Sequence, residues 1–251
     1  MSVPLVAVAH GSRDPRSAAT VRALAGRVAE AAPGIEVRAS FLDLSAPRVT
    51  DVLRELHGEG HHEIVVVPLL LGSAYHARVD LPALVDGVTA DLPGLRVVIS
   101  DVLGIDPVLE AVALDRLTEA GADLADPGLG VVVTAVGSSN APANAAVAQL
   151  AERWQARHGL PVAAAFASAA KPDIVGAIAN LRAHGAERIA VASWFLAPGL
   201  LPDRVARLAA QADPAVLLAA PLGPDPRVAD LVLTRYDDAR RPAGVVSVSR
   251  G

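Results

Sequence analysis

Two histidines stand just past apolar runs. His10 opens Ala9-His10-Gly11-Ser12-Arg13-Asp14-Pro15 directly after residues 4–9, and His76 follows the run Ile64–Leu71 through Gly72-Ser73-Ala74-Tyr75. A carboxylate, Asp43, closes a third run in Ser40-Phe41-Leu42-Asp43-Leu44. In a parallel α/β sheet, residues just beyond the carboxyl ends of strands face one crevice. Two neutral imidazoles and a carboxylate there suit a borderline divalent metal such as Fe(II), Co(II) or Ni(II), with coordination positions left open, or an acid–base site. An open site serves a metal donor or a catalyst, whereas a structural site would be closed. Arg13, Arg16 and Arg78 cluster with the histidines, and helix amino-termini add positive dipole ends to the same space. That combination receives a ligand carrying several carboxylates. Ser12, Arg13 and Arg78 are the expected substrate-binding residues; Arg16 by itself reads as ordinary surface. Asp43 has a second reading, as a cap for a helix beginning near Pro47.

The elements that must position these residues alternate regularly. Strands are expected at 4–9, 35–42, 64–71 and 95–99, with helices near 17–32, 47–57, 80–90 and 107–121. Asp14-Pro15 reads as an N-cap followed by proline at the first helical position. Continuous Val/Ile/Leu strands separated by helices indicate a parallel sheet buried on both faces.

The second half repeats this plan. Gly11 and Ser12 recur as Gly137 and Ser138; Phe41, Pro47, Gly60 and Leu71 recur as Phe166, Pro172, Gly185 and Leu196; Leu103-Gly104 and Asp106-Pro107 return as Leu222-Gly223 and Asp225-Pro226. Two duplicated, doubly wound α/β lobes are therefore expected: residues 1–124, a degenerate copy at 125–240, and a flexible tail at 241–251. A pseudo-two-fold should relate the lobes. The halves agree on structure and disagree on chemistry. His10 aligns with Val136, His76 with Leu201, Asp43 with Ser168, Arg13 with Ser139 and Asp14 with Asn140. The first half is expected to work and the second to form a wall of the cleft.

Composition narrows the remaining choices. The chain has 251 residues, is 52% hydrophobic but only 3% aromatic, and so needs an aliphatic core. A net charge of -5 offers nucleic acid or an anionic membrane no electrostatic attraction. The absence of cysteine excludes disulfides, thiolate metal sites and cysteine nucleophiles. No signal-peptide pattern opens the chain, and the uncharged stretch 127–151 is punctuated by Gly137-Ser138-Ser139-Asn140 and Pro142, so a cytoplasmic protein without a membrane span is expected. His57, His61 and His62 read as a solvated turn at the opposite sheet edge, and His158 and His184 as helix-end residues. A histidine phosphatase would need an arginine where Ala9 stands, and a serine hydrolase using Ser12 or Ser73 lacks a Gly-x-Ser-x-Gly elbow.

His-Gly-Ser-Arg-Asp-Pro after the first strand, Phe-Leu-Asp with Pro47 after the second, and Val-Pro-Leu-Leu-Leu followed by His76 and Asp80-Leu81-Pro82 resemble the class II tetrapyrrole chelatases. The closest resemblance is to the sirohydrochlorin chelatases, over nearly the whole chain. It implies insertion of a divalent metal into a tetrapyrrole without ATP or an organic cofactor, in a cleft between two lobes. It also implies that His10 and His76 bind the metal and assist removal of two pyrrole protons. The family commonly has glutamate where Asp43 stands; the shorter side chain puts direct ligation in question. Iron, giving siroheme, is the expected metal, with cobalt insertion for cobalamin and a non-catalytic tetrapyrrole or metal carrier as alternatives. With both lobes in one chain, a monomer is expected.

Overall fold

A computed structural model describes residues 2–72 and 79–241. The first half runs β1 (Leu5–Ala9), α1 (Pro15–Ala31), β2 (Val37–Phe41), α2 (Val49–Gly58), β3 (Glu63–Pro68), α3 (Leu81–Asp91), β4 (Arg96–Ile99) and α4 (Pro107–Glu119). The second runs β5 (Leu129–Ala135), α5 (Ala141–His158), β6 (Val162–Phe166), α6 (Ile174–Ala183), β7 (Arg188–Ser193), α7 (Leu200–Ala212), β8 (Leu217–Leu218) and α8 (Pro226–Arg240). Each half forms one four-stranded parallel sheet, ordered β2-β1-β3-β4 and β6-β5-β7-β8.

The aliphatic strands are explained by burial on both faces. Leu5, Ala7 and Ala9 of β1 join a large inner core, whereas Val6 and Val8 point into an outer core with α2 and α3. In the second sheet Val131 and Val133 face inward, and Val132 meets α6 and α7 outside. With a side-chain period of two and no solvated face, a strand needs no polar alternation. The inner core takes residues of α1, α4, α5 and α8 and lies between the sheets, so the layers run helix, sheet, helix, sheet, helix.

The inner helices are exchanged between the halves. Helix α4 packs on β7 of the second sheet, and α8 packs on β3, β4 and α1 of the first. Two arginines related by the repeat mark this exchange. Arg116 of α4 reaches the Leu222 carbonyl and Asp225, while Arg235 of α8 reaches the carbonyls of Val102 and Leu103 and the carboxylate of Asp106. Reciprocal contacts of this kind follow a pseudo-two-fold. Glu110 of α4, buried, accepts from Trp154 Nε1 at 3.1 Å and Arg153 at 2.8 Å on α5. Tyr236 of α8 donates to the Val3 carbonyl at 2.6 Å.

Asp14, Asp106 and Asp225 each cap a helix whose first residue is proline, accepting the backbone N–H two residues on. The uncharged stretch 127–151 is divided between β5 and α5, and among the described residues no helix is long and apolar enough to cross a membrane. Residues 242–251, read as a tail from the sequence, lie outside the described residues.

Candidate active site

The first sheet reverses its winding at β1 and β3, which pair in register from Leu5↔Val65 to Val8↔Pro68. The chain leaving β3 stays beside β1, since Leu69 N–H donates to the Val8 carbonyl. The crevice outside the carboxyl ends of two such strands is where open α/β sheets take ligands. His10, half-buried, stands at this point. His76 and Arg78, together with Ser73, lie outside the described residues.

The turn carrying His10 is locked to the loop carrying Asp43. Asp43 N–H donates to the His10 carbonyl at 2.9 Å. Gly11 has φ +96°, and a Cβ built there would lie 1.7 Å from the Asp43 carbonyl oxygen, so only glycine permits this approach. Ser45 closes the arrangement: its hydroxyl accepts from Ser12 N–H at 3.1 Å and donates to the Ser12 carbonyl at 2.9 Å. His10 and Asp43 are thereby brought together on adjoining loops.

Asp43 does not cap the second helix, because Arg48 is its N-cap residue and makes no side-chain cap. The Asp43 carboxylate instead pairs with Arg48 at 2.8 Å. The Leu44 backbone N–H, then Arg48 and the charge of His10, hold its pKa below the usual carboxylate value against a smaller opposing effect of burial. It is ionised throughout the neutral range, as a group receiving a cation or stabilising an imidazolium must be.

Ser12 and Arg13 take different positions. The Ser12 hydroxyl oxygen accepts from Asp14 N–H at 3.0 Å, a use that shapes the turn, whereas Arg13 is exposed. Arg16 is at the surface, its side chain 52% exposed, and is engaged there by two carboxylates. Its guanidinium grips Asp14, with Nε at 3.0 Å and Nη2 at 2.6 Å, and Nη2 also bonds Asp203 of α7, in the other half. Sequence reasoning missed Asp203, Ser45 and Arg48. Arg48 had a signal, a basic residue five positions after Asp43 and next to Pro47; the partnership with Asp203 had none.

In the second half the same backbone cradle carries no ionisable group at the matching positions. Gly137 approaches the Ser168 carbonyl as Gly11 approaches that of Asp43, and Ser168 N–H donates to the Val136 carbonyl at 2.9 Å. Val136, in the place of His10, is 47% exposed, and Leu200 is 63% exposed. These apolar side chains sit at the carboxyl ends of β5 and β7.

A second donor cluster lies at the opposite edge of the first sheet. Glu36, Glu59 and His61 place ligand atoms within 4.8 Å of one another. Arg38 already supplies a cation there, with its Nε 2.8 Å from Glu36 and Nη2 2.6 Å from Glu59. His61 bonds Glu36 at 3.1 Å and its side chain is only 11% exposed, so the solvated-turn reading fails for this residue. The cluster is an ion-pair network around Arg38.

A duplicated α/β chain with a histidine and a carboxylate on adjoining loops at one switch point and an apolar counterpart at the other defines the class. Family comparison makes it specific. A family model described as CbiX matches residues 4–120 and again 130–239, and the chain belongs to that family. It is 25% identical over 240 residues to a sirohydrochlorin ferrochelatase of Bacillus subtilis, covering 94% of this chain and 91% of that protein. It is also 25% identical over 207 residues to a sirohydrochlorin cobaltochelatase of Priestia megaterium, covering 81% and 67%. Among solved structures, SirB from Bacillus subtilis with Fe3+ has the same fold, with a TM-score of 0.79, 24% identity and coverage of 95% and 96%.

Proposed function

We propose that this chain inserts a divalent metal into sirohydrochlorin, without ATP. The observation that carries this reading is the backbone bond that sets His10 beside an ionised Asp43 on adjoining loops, at the switch point of a CbiX-family sheet. Insertion exchanges one divalent cation for two pyrrole protons. His10 and His76 serve first as metal ligands and then accept one pyrrole proton each, a dual use open to an imidazole. Asp43 remains an anion and offsets the charge that His10 gains. His76 is the second ligand of this reading and Arg78, with Ser12 and Arg13, its carboxylate receptor. The exposed Val136 and Leu200 suit the flat apolar face of a macrocycle.

Iron, giving siroheme, is the metal of first choice, supported by the ferrochelatase relative that spans nearly the whole chain. Cobalt is the second reading, favoured by the cobaltochelatase relative. Imidazole and carboxylate donors discriminate weakly among such ions, so supply and geometry decide. Both crevice walls come from one chain, which supports a monomer.

The test is spectroscopic. Metal-free sirohydrochlorin with Fe(II), Co(II) or Ni(II) and substoichiometric protein should convert over many turnovers. A single stoichiometric spectral shift with no turnover would instead identify a tetrapyrrole carrier.

A further inference from the structure

The contact between the halves at the crevice has an unusual composition. On one side, Asp14 is buried, caps α1, and holds Arg16 through three bonds at 2.6–3.2 Å. On the other, the backbone of Gly199 lies in ordinary packing contact, where an added Cβ would be 3.8 Å from Ser12 Oγ and 4.0 Å from Asp14 Cβ. Asp203, in the first turn of α7, then bonds the Arg16 guanidinium from the second half.

The two carboxylates on Arg16 are not equivalent. The Asp14 side chain is 9% exposed and fixed by its capping bond, whereas that of Asp203 is 53% exposed. At that exposure the Asp203 side chain can turn away into solvent. Arg16 is thus oriented permanently by one carboxylate and held reversibly by another. Exposed ion pairs are weak, worth roughly a twofold to fivefold change in an equilibrium. A ligand carboxylate can replace such a partner.

We propose that Arg16 is a substrate-carboxylate receptor and that Asp203 is its exchangeable stand-in, latching the first turns of α1 and α7 together until a carboxylate of the macrocycle takes its place. This rests on the tetrapyrrole reading above and assigns Arg16 a positive role in affinity, with Asp203 as the competing anion. It makes Asp203 a residue that weakens substrate binding while keeping the empty crevice closed.

The experiment uses the full chain, with Co(II) insertion into sirohydrochlorin followed by absorbance and macrocycle binding followed by fluorescence quenching. D203N should lower KM and Kd by about threefold to fivefold while kcat stays within about twofold. R16Q should raise KM by about tenfold, since a bond to a charged group is stronger than an exposed pair. In the R16Q background, D203N should have no further effect, which separates competition for Arg16 from simple removal of a negative charge. R54Q, which breaks the exposed Arg54–Asp91 pair on the outer helices, should leave KM unchanged. Amide hydrogen exchange should quicken over residues 11–17 and 199–205 in both D203N and R16Q. Normal turnover with a KM indifferent to D203N, or a D203N effect that persists in R16Q, would overturn the latch and leave the enzyme assignment standing. A wild-type chain that neither binds nor converts sirohydrochlorin would overturn the functional reading itself and, with it, the substrate role of Arg16.

Discussion

The crevices of the two halves share a backbone and differ in what they display. In both, a glycine with positive φ docks on a carbonyl of the neighbouring loop, and the residue before it accepts that loop's N–H. In both, the residue after the approached carbonyl is non-glycine with positive φ, Leu44 in one half and Ala169 in the other. The braces differ. Ser45 holds the Ser12 turn from the adjoining loop, while Asn144 of α5 holds the Ser138 turn at 2.9 and 2.7 Å from its own helix. Both turns are thus tied to the neighbouring loop, the second also through the Ser168 hydroxyl, which donates to the Val136 carbonyl at 3.0 Å; the first half adds Ser45 from the loop that carries Asp43, and the second adds Asn144 from its own helix. The cradle is common to both halves, and on the proposed reading the chemistry is set by a handful of side chains placed on it.

The comparison can be broken most forcefully at the glycines. Gly11→Ala and Gly137→Ala would place a Cβ 1.7 Å and 2.0 Å from a carbonyl oxygen at a φ unfavourable to alanine. Each should cost about 4 kcal/mol or more, measured by urea denaturation. Equal losses would confirm a shared scaffold; tolerance of alanine at Gly137 would show that the second cradle is not under the same constraint. His10→Ala should lower insertion by about a hundredfold or more with stability retained, whereas Val136→Ala should leave the rate unchanged. Full activity of His10→Ala would sink the assignment of chemistry to the first half.

Asp43→Asn sharpens the same contrast. The Leu44 N–H and Arg48 depress the Asp43 pKa, so this group titrates below the usual carboxylate range and stays ionised at neutral pH. Its loss should cost about tenfold in rate, below the usual range of a direct acid or base. The ratio of wild-type to variant rates should be flat between pH 6 and pH 8. A ratio that changed steeply there would mean that Asp43 exchanges a proton during turnover.

Much of this was legible in the sequence because burial on both faces writes strands as unbroken Val/Leu runs, and Asp-Pro writes the starts of α1, α4 and α8. The pairing of His10 with Asp43 was legible because both follow strands that must end at one edge. The exchange of α4 and α8 was not, since Leu109, Val112 and Leu117 present the same apolar stripe whichever sheet they cover. The partners of Arg16 were only half legible for a related reason. Its local partner, Asp14, is two residues away, but Asp203 belongs to the other half, and no spacing in the chain encodes how the halves approach.

The smallest effect concerns the exchange itself, through Arg235 and Arg116, which occupy matching places on α8 and α4. Arg235 bonds two carbonyls at 3.0 and 3.1 Å and Asp106 at 2.9 Å. Arg116 makes longer contacts, 3.5 Å to the Leu222 carbonyl and 3.3 Å to Asp225, and spends its other nitrogen on Glu119 of its own helix. Hydrogen bonds weaken toward these longer distances. The carboxylates also fare differently once the arginine is removed. Asp225 keeps Arg227, at 3.0 and 3.1 Å, and Arg227 further bridges to Asp115 on α4 at 2.6 Å. Asp106 keeps its capping bond from Val108 N–H. Arg235→Ala should therefore destabilise by about 2 kcal/mol and Arg116→Ala by about 1 kcal/mol in urea denaturation, each as a single cooperative transition. Equal costs would mean that the two crossings are energetically as symmetric as the repeat that produced them. Two separate transitions in Arg235→Ala would mean that α8 is the element joining the halves into one folding unit.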